Sequence, residues 1–323
     1  GLSSVLLFLD PPDHPRLRRL VSKAFTPRAV EQLRPHVADL VDGFLDAAAA
    51  KAAGGEGFDL MAELAYPLPV TVICELMGVP LDDRDSFGPL SSDASRLLDG
   101  DIDEATMNKG IAAILQLVAY FAELFEERRR EPQDDMISAL LAVEEEGDRL
   151  TIDELHSIVL LLFAAGHETT MNLIGNGAVA LLRNRDQWDR LRDDPSLAPT
   201  AVEEILRYDG PVHVTGRTAT ADLAVGDVTV EKGQHVGLIL AAANRDPAHF
   251  PDPDRLDIGR GDGPHLTFSH GIHYCLGASL ARLEGQEVFT ALTRRFPGLT
   301  LAAEPRHRDH FVLRGYREVL VTP

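Results

Sequence analysis

Apolar residues recur at three- and four-residue spacing through most of the 323 positions, the signature of helices that bury one face. The pattern breaks at clusters that disfavour helix, notably Gly54-Gly55-Glu56-Gly57 and Gly259-Arg260-Gly261-Asp262-Gly263-Pro264. The best-marked helix opens at Thr151, where Thr151 and Glu154 have the spacing of a capping box, and runs with few breakers to about Arg183. At about 1.5 Å per residue such a helix is roughly 50 Å long. Its middle is apolar nearly all round, so it is expected to cross the interior. Period-two alternation is scarce. Residues 215–220, 228–230 and 235–241, punctuated by Gly226-Asp227 and Lys232-Gly233, predict a small antiparallel sheet. Residues 311–313 and 319–321, split by Gly315, predict a closing hairpin. The expected architecture is mainly α with small β-sheets, in one domain over 1–323.

With 31 Lys and Arg against 51 Asp and Glu, the net charge is −20. So acidic a surface disfavours nucleic acid and anionic membrane as general partners. Two cysteines, Cys74 and Cys275, offer no disulfide framework and suit a reducing compartment. The longest apolar run, 158–166, is far shorter than the ~20 residues of a membrane span, and no secretory signal with a basic start opens the chain. A soluble cytoplasmic protein without membrane insertion is the expectation.

Candidate chemistry concentrates at Phe268-Ser269-His270-Gly271-Ile272-His273-Tyr274-Cys275-Leu276-Gly277, which leads into an apolar helical segment at Ala278. A cysteine just before a helix meets unpaired N–H groups and the positive end of the helix dipole, which favour the metal-binding thiolate. Gly271 and Gly277 permit tight turning and close approach to a flat ligand. Three readings of Cys275 compete: a small buried hydrophobe, a zinc ligand with His270 and His273, and the sulfur ligand of a haem iron. The zinc reading lacks the paired Cys-x-x-Cys of a closed site.

Within the long helix, Ala164-Ala165-Gly166-His167-Glu168-Thr169-Thr170 sets a glycine, an acid and two hydroxyls in an apolar run, where such residues cost stability. Purely structural roles exist for them: threonine bonding back one turn, glycine allowing close helix packing, Glu168 facing water. Glu204 and Arg207 lie within i,i+3 reach, an arrangement that on a solvated face is worth little. His14 and Arg18 are four apart in Asp10-Pro11-Pro12-Asp13-His14-Pro15-Arg16-Leu17-Arg18, which opens a helix.

Together these segments resemble the cytochrome P450 superfamily of haem-thiolate monooxygenases, of the soluble bacterial kind. The Cys275 loop is similar to the family's F-G-x-G-x-H-x-C-x-G, with Ser269 where glycine is usual. Residues 164–170 resemble its A-G-x-[DE]-T-T stretch, Glu204 and Arg207 its E-x-x-R pair, and residues 10–18 its D-P-P-x-H-x-x-x-R. Gly216-Arg217-Thr218-Ala219 is similar to the site of its second propionate arginine. The run Ala242-Ala243-Asn244-Arg245-Asp246-Pro247, with Phe250, Asp252-Pro253-Asp254 and Asp257, matches in order and spacing. The likeness covers nearly the whole chain.

The resemblance implies a cytochrome P450 fold with the long helix over haem b. It implies Cys275 as the axial iron ligand, Phe268 and Gly277 in the cofactor loop, and His14, Arg18, Arg217 and His273 on the haem propionates. Thr169 would hold dioxygen and its waters, Glu168 would gate protons inward, and Glu204 with Arg207 would brace the core beneath the haem loop. Leu161, Ala164, Val212, His213, Val312 and Leu313 would face the substrate; five of the six are aliphatic, so an apolar molecule of secondary metabolism is expected. One atom of O2 would enter a C–H or C=C bond, with electrons from a ferredoxin and its reductase. Arg16, Arg19 and Lys23 would form an outward basic stripe for that ferredoxin, opposite His14 and Arg18. Because the likeness starts near Asp10, the family's N-terminal helix, first sheet strands and B-to-C loop would be missing here. Two rivals stand beside this reading. A peroxide-driven oxygenase could dispense with Glu168 and Thr169, and a non-catalytic partner protein of a biosynthetic enzyme usually lacks the thiolate.

Overall fold

The computed structural model describes residues 5–23, 25–142, 144–145 and 148–323. Its axis is the helix Ile152–Arg183, capped as its sequence predicts: Glu154 N donates to Thr151 Oγ1 at 3.2 Å, and Thr151 N donates to Glu154 Oε2 at 2.8 Å. The two halves of this helix enter different apolar cores. Residues 155–163 pack with Pro67–Met77, Glu104–Arg130 and Met136–Ala142, where the rings of Phe87, Phe121, Phe125 and Phe163 meet. Residues 171–181 pack with Arg34–Ala52, Ala198–Asp209 and Ala278–Arg295, around Trp188 and Phe289. Between the cores lies 164–170, the stretch that carries the costly residues.

Glycines let the long helix sit this close to its neighbours. A Cβ on Gly166 would come within 2.9 Å of Ile73 Cδ1, and one on Gly177 within 2.3 Å of Phe289 Cζ. Gly166 is therefore a helix-packing residue, whatever else the segment around it does. Among the described residues this is the one helix long and apolar enough to cross a membrane, yet 67% of its most apolar window is buried, as in a core helix.

The β content is short antiparallel ladders. Val214–Thr218 pairs with His235–Ile239, and Leu223–Val225 with Val228–Val230, so the region expected as one sheet is two separate ladders. The chain turns helical at Leu240–Ala243, which cuts the expected 235–241 strand short. Leu320–Thr322 lies between Phe58–Asp59 and Thr300–Leu301, while Tyr316–Glu318 pairs with Arg306–His307. The expected hairpin of 311–313 with 319–321 does not form. Leu313 instead bridges Val212, with His213 N donating to Val312 O at 3.0 Å. Val319 and Val321 are fully buried in the second core, so their neighbours are the strands that reach that core. An aliphatic run specifies a buried face but carries no information about which distant strand will cover it.

Candidate active site

Cys275 precedes Ala278–Arg295 by one turn and is tied down by its N–H donating to Phe268 O at 2.9 Å. The loop between them reverses through left-handed backbone at Ser269, φ 62°, and Gly271, φ 74°. Glycine adopts that region freely, whereas a side chain there costs about 1–2 kcal/mol. Burial pushes the Cys275 thiol up from its ordinary value, while the N–H groups of Gly277 and Ala278 and the charges of Arg18 and Arg282 pull against that rise. A half-buried sulfur met by two N–H donors and two arginines suits an electropositive partner that displaces its proton. Among the described residues, no three His, Cys, Asp or Glu side chains converge as a metal site. Arg282, on the helix that follows, lies 4.6 Å over the Phe268 ring, grips Glu203 at 2.6 and 2.9 Å, and donates to Tyr274 OH at 3.1 Å.

Beside the sulfur, the helix Asp13–Ser22 brings in His14 and Arg18. His14 is buried, its ring 4.4 Å from that of His273, and among the described residues neither of its ring nitrogens has a partner. Two orphaned buried nitrogens are unfavourable unless something supplies acceptors or donors. Burial, then His273 and Arg18, holds His14 below its ordinary value; burial and then Arg217 do the same for His273. Arg18 Nη2 donates to Tyr274 O at 2.8 Å. Arg217 is exposed at the surface, with Nη1 on Gly216 O at 2.6 Å and Thr215 Oγ1 at 3.3 Å. His14, Arg18 and His273 thus gather beside the Cys275 loop, with Arg217 near enough to act on His273. That donor set fits haem b: propionates would satisfy the His14 nitrogens and the arginine forks, and the sulfur would take the iron.

On the long helix, Thr169 Oγ1 donates to Ala165 O at 2.9 Å and Thr170 Oγ1 to Gly166 O at 3.5 Å, the back-bonding open to hydroxyls in a helix. Glu168 does not face water. It is 3% exposed, and Arg308 donates to it from Nη1 at 2.6 Å and from Nη2 at 3.3 Å. His167, wholly buried, bonds Phe163 O through Nδ1 at 2.9 Å, and burial holds it below its ordinary value.

The Glu204–Arg207 pair is also buried. Arg207 donates to both carboxylate oxygens at 2.7 and 2.9 Å and to the carbonyls of Asn244, Pro253 and Arg255 at 2.9, 2.8 and 3.3 Å. Asn244 passes the order onward, accepting from Leu266 N at 2.7 Å and donating to Thr267 Oγ1 at 2.9 Å, directly before Phe268. Arg260 adds a second cation on Glu204, at 3.1 Å.

Of the substrate-facing expectations, Val212 and His213 meet Val312 and Leu313 through the bridge described above, while Leu161 and Ala164 are half-buried on the long helix. A cavity of 260 Å³ bounded by His213, Val214, Ile239, Phe311 and Arg314 adds three apolar residues that the sequence reading missed, Val214, Ile239 and Phe311. Phe311, 70% exposed, stands at its edge. Arg308 and Arg260 were missed as well, because arginines in polar loops carry no local mark of their partners. One expectation needs correction. Arg16 is not part of an outward stripe: it pairs with Glu154 at the start of the long helix, leaving Arg19 and Lys23 as the exposed members. The side chain is long enough to reach a capping carboxylate, which helical angle alone does not reveal.

The Cytochrome P450 family model matches residues 2–314. "Cytochrome P450 107B1" of Saccharopolyspora erythraea is 48% identical over 322 residues, covering 98% of this chain and 77% of that protein. "Vitamin D(3) 25-hydroxylase" of Pseudonocardia autotrophica is 45% identical over 323 residues, with 98% and 77% covered. The solved structure of P450BioI in complex with hexadec-9Z-enoic acid ligated acyl carrier protein superposes with a TM-score of 0.93 at 42% identity, over 99% of this chain and 82% of that one. A family model over nearly the whole chain and relatives this similar show that the chain belongs to the cytochrome P450 family of haem-thiolate monooxygenases.

Proposed function

We propose that this monooxygenase hydroxylates or epoxidises an apolar small molecule of secondary metabolism, with electrons delivered by a ferredoxin and its reductase. The observation that carries the reading is the pair of partnerless His14 nitrogens, buried beside His273 and Arg18 at the Cys275 loop. In this reading Cys275 would hold the haem iron through its sulfur, with Phe268 and Gly277 shaping its loop. His14, Arg18, His273 and Arg217 hold the propionates. Haem b, when bound, would supply the dioxygen chemistry, with the hydroxylation balance R–H, O2, two electrons and two protons to R–OH and water.

The chain's own residues position groups and handle protons. Gly277 and Ala278 N–H groups moderate the sulfur. Thr169 donates its hydroxyl proton to Ala165 O, which leaves its oxygen lone pairs to accept from a water. Glu168, one residue away and buried, is the carboxylate that takes up a proton from solvent and passes it to that water. Leu161, Ala164, Val212, His213, Val312 and Leu313 form the substrate wall, whose apolar atoms keep bulk water from the reacting centre. The names of the relatives, a vitamin D(3) hydroxylase and a hexadecenoic acid complex, support an apolar substrate. Burial of a carboxylate is costly. Its presence here favours a proton-requiring route over a peroxide-driven one.

The test is spectroscopic first. Reduced protein under carbon monoxide is expected to show the long-wavelength Soret band of thiolate-ligated haem; the shorter-wavelength band of histidine-ligated haem in fresh protein would overturn it. Thr169→Ala is then expected to keep haem content while diverting electrons into peroxide. Unchanged peroxide release would remove Thr169 from the mechanism and favour the peroxide-driven alternative.

A further inference from the structure

Glu168 is joined to the chain 140 residues downstream by a buried ion pair, the two side chains 4% and 11% exposed. Both carboxylate oxygens are engaged, Oε2 by Arg308 Nη1 at 2.6 Å and Oε1 by Nη2 at 3.3 Å. The same Nη2 donates to Ser92 Oγ at 2.8 Å, on the helix Arg84–Ser95. The segment after Arg308 is fastened to the end of that helical region. Asp99 Oδ1 accepts from Phe311 N at 3.1 Å and Val312 N at 2.9 Å, while its other oxygen takes Arg96 Nη1 at 2.8 Å and lies 3.4 Å from His310 Nδ1. Asp99 is itself 5% exposed. Residues 308–312 thus form a strap with its ends on Ser92 and Asp99, its first side chain on Glu168, and Phe311 at the edge of the cavity.

We propose that Arg308 is a positioning residue for the reaction: its planar fork, anchored through Ser92 and the Asp99 strap, fixes the direction in which Glu168 presents its carboxyl to Thr169. The inference rests on the reading of Glu168 as the proton-delivering acid. A fork is required because one group must meet two carboxylate oxygens and a serine hydroxyl at once; a lysine, a point charge on a flexible stem, cannot hold that geometry. Orientation matters because misplacing a catalytic group by about 1 Å costs up to roughly a hundredfold in rate.

The experiment uses the haem-loaded full chain adsorbed on a ring-disk electrode, so that neither substrate nor ferredoxin has to be known. Dioxygen is the probe. Reduction to water takes four electrons and four protons, reduction to peroxide two of each, so the fraction carried to water reports proton supply. In Glu168→Gln that fraction is expected to fall roughly tenfold. Arg308→Gln and Arg308→Lys should reproduce most of the fall, and Glu168→Gln/Arg308→Gln should equal Glu168→Gln alone, because the two residues act as one unit. A second readout is independent of turnover. The infrared carboxylate band that Glu168→Gln removes should broaden in Arg308→Lys as the group samples several directions. Should Arg308→Gln fail to fold, Arg308→Lys, which keeps a charge beside the buried acid, decides. A wild-type water fraction and a sharp band in Arg308→Lys overturn this inference, as does a double variant whose losses multiply. An unaltered water fraction in Glu168→Gln overturns the proton-delivery reading and this inference with it.

Discussion

Glu284 offers a quantitative test of how the core around residues 171–181 is built. It lies on Ala278–Arg295 at 1% exposure, between Leu283 and Gly285 in the core that holds the second half of the long helix, and its Oε2 has no partner among the described residues. Burial alone pushes its carboxyl up from about 4.5 to about 8. Below the unfolded value both states are protonated and the group is neutral in its effect. As pH climbs from about 4.5 toward 8 the unfolded chain releases the proton while the folded chain keeps it, so stability present in acid is progressively lost. Each pH unit in that window costs about 1.4 kcal/mol, so roughly 3 kcal/mol is lost between pH 5 and pH 7.5. Glu284→Gln removes the titration and keeps the shape. Guanidinium unfolding of both proteins at a series of pH values is the assay, and the quantity to follow is their difference, in which every other titrating group cancels. Glu284→Gln is expected to gain about 3 kcal/mol on the parent over that range. A difference flat to about 0.5 kcal/mol would mean that the carboxylate is ionised in the folded protein, and the argument from burial would be refuted.

Three further outcomes are expected. Arg207→Leu strips a buried carboxylate of its two-point partner and three carbonyls of a donor, and should cost about 3–5 kcal/mol in a guanidinium titration followed by far-UV circular dichroism, with haem retention falling in step; a loss under about 1 kcal/mol would show that Arg260 and the Asp257 N–H suffice for Glu204. Ser269→Gly relieves the side chain at φ 62° and should raise stability by about 1 kcal/mol, read as a higher urea midpoint; a lower midpoint would show that the serine side chain contributes more than its backbone costs. Reversing Arg19 and Lys23 to Glu should slow ferredoxin-driven reduction, most at low salt, without altering substrate binding; rates unchanged at every ionic strength would place the partner elsewhere.

What the sequence determined by itself are features whose cause lies within a few residues. The Thr151 and Glu154 capping box, the length of the long helix to Arg183, and the turn at Gly271 are local matters of side-chain reach and backbone freedom, and they stand in the structure as read. The Cys275 loop and the Glu204–Arg207 spacing were legible for the same reason, since neighbouring positions on a loop or one helix face must lie together in space. Tertiary structure decided everything that depends on closing a long loop. It buried Glu168 and gave it Arg308 across 140 residues, turned Arg16 from an expected surface stripe to Glu154, and set Leu313 against Val212 instead of the last strand. It also supplied Ile73 as the partner for the close packing that Gly166 permits, which no residue within a turn of it announces. Periodicity marks which face of an element is apolar, but the partner of that face is chosen by the packing of the whole chain, where burial of Val319 and Val321 outweighs the short turn that proximity would have favoured.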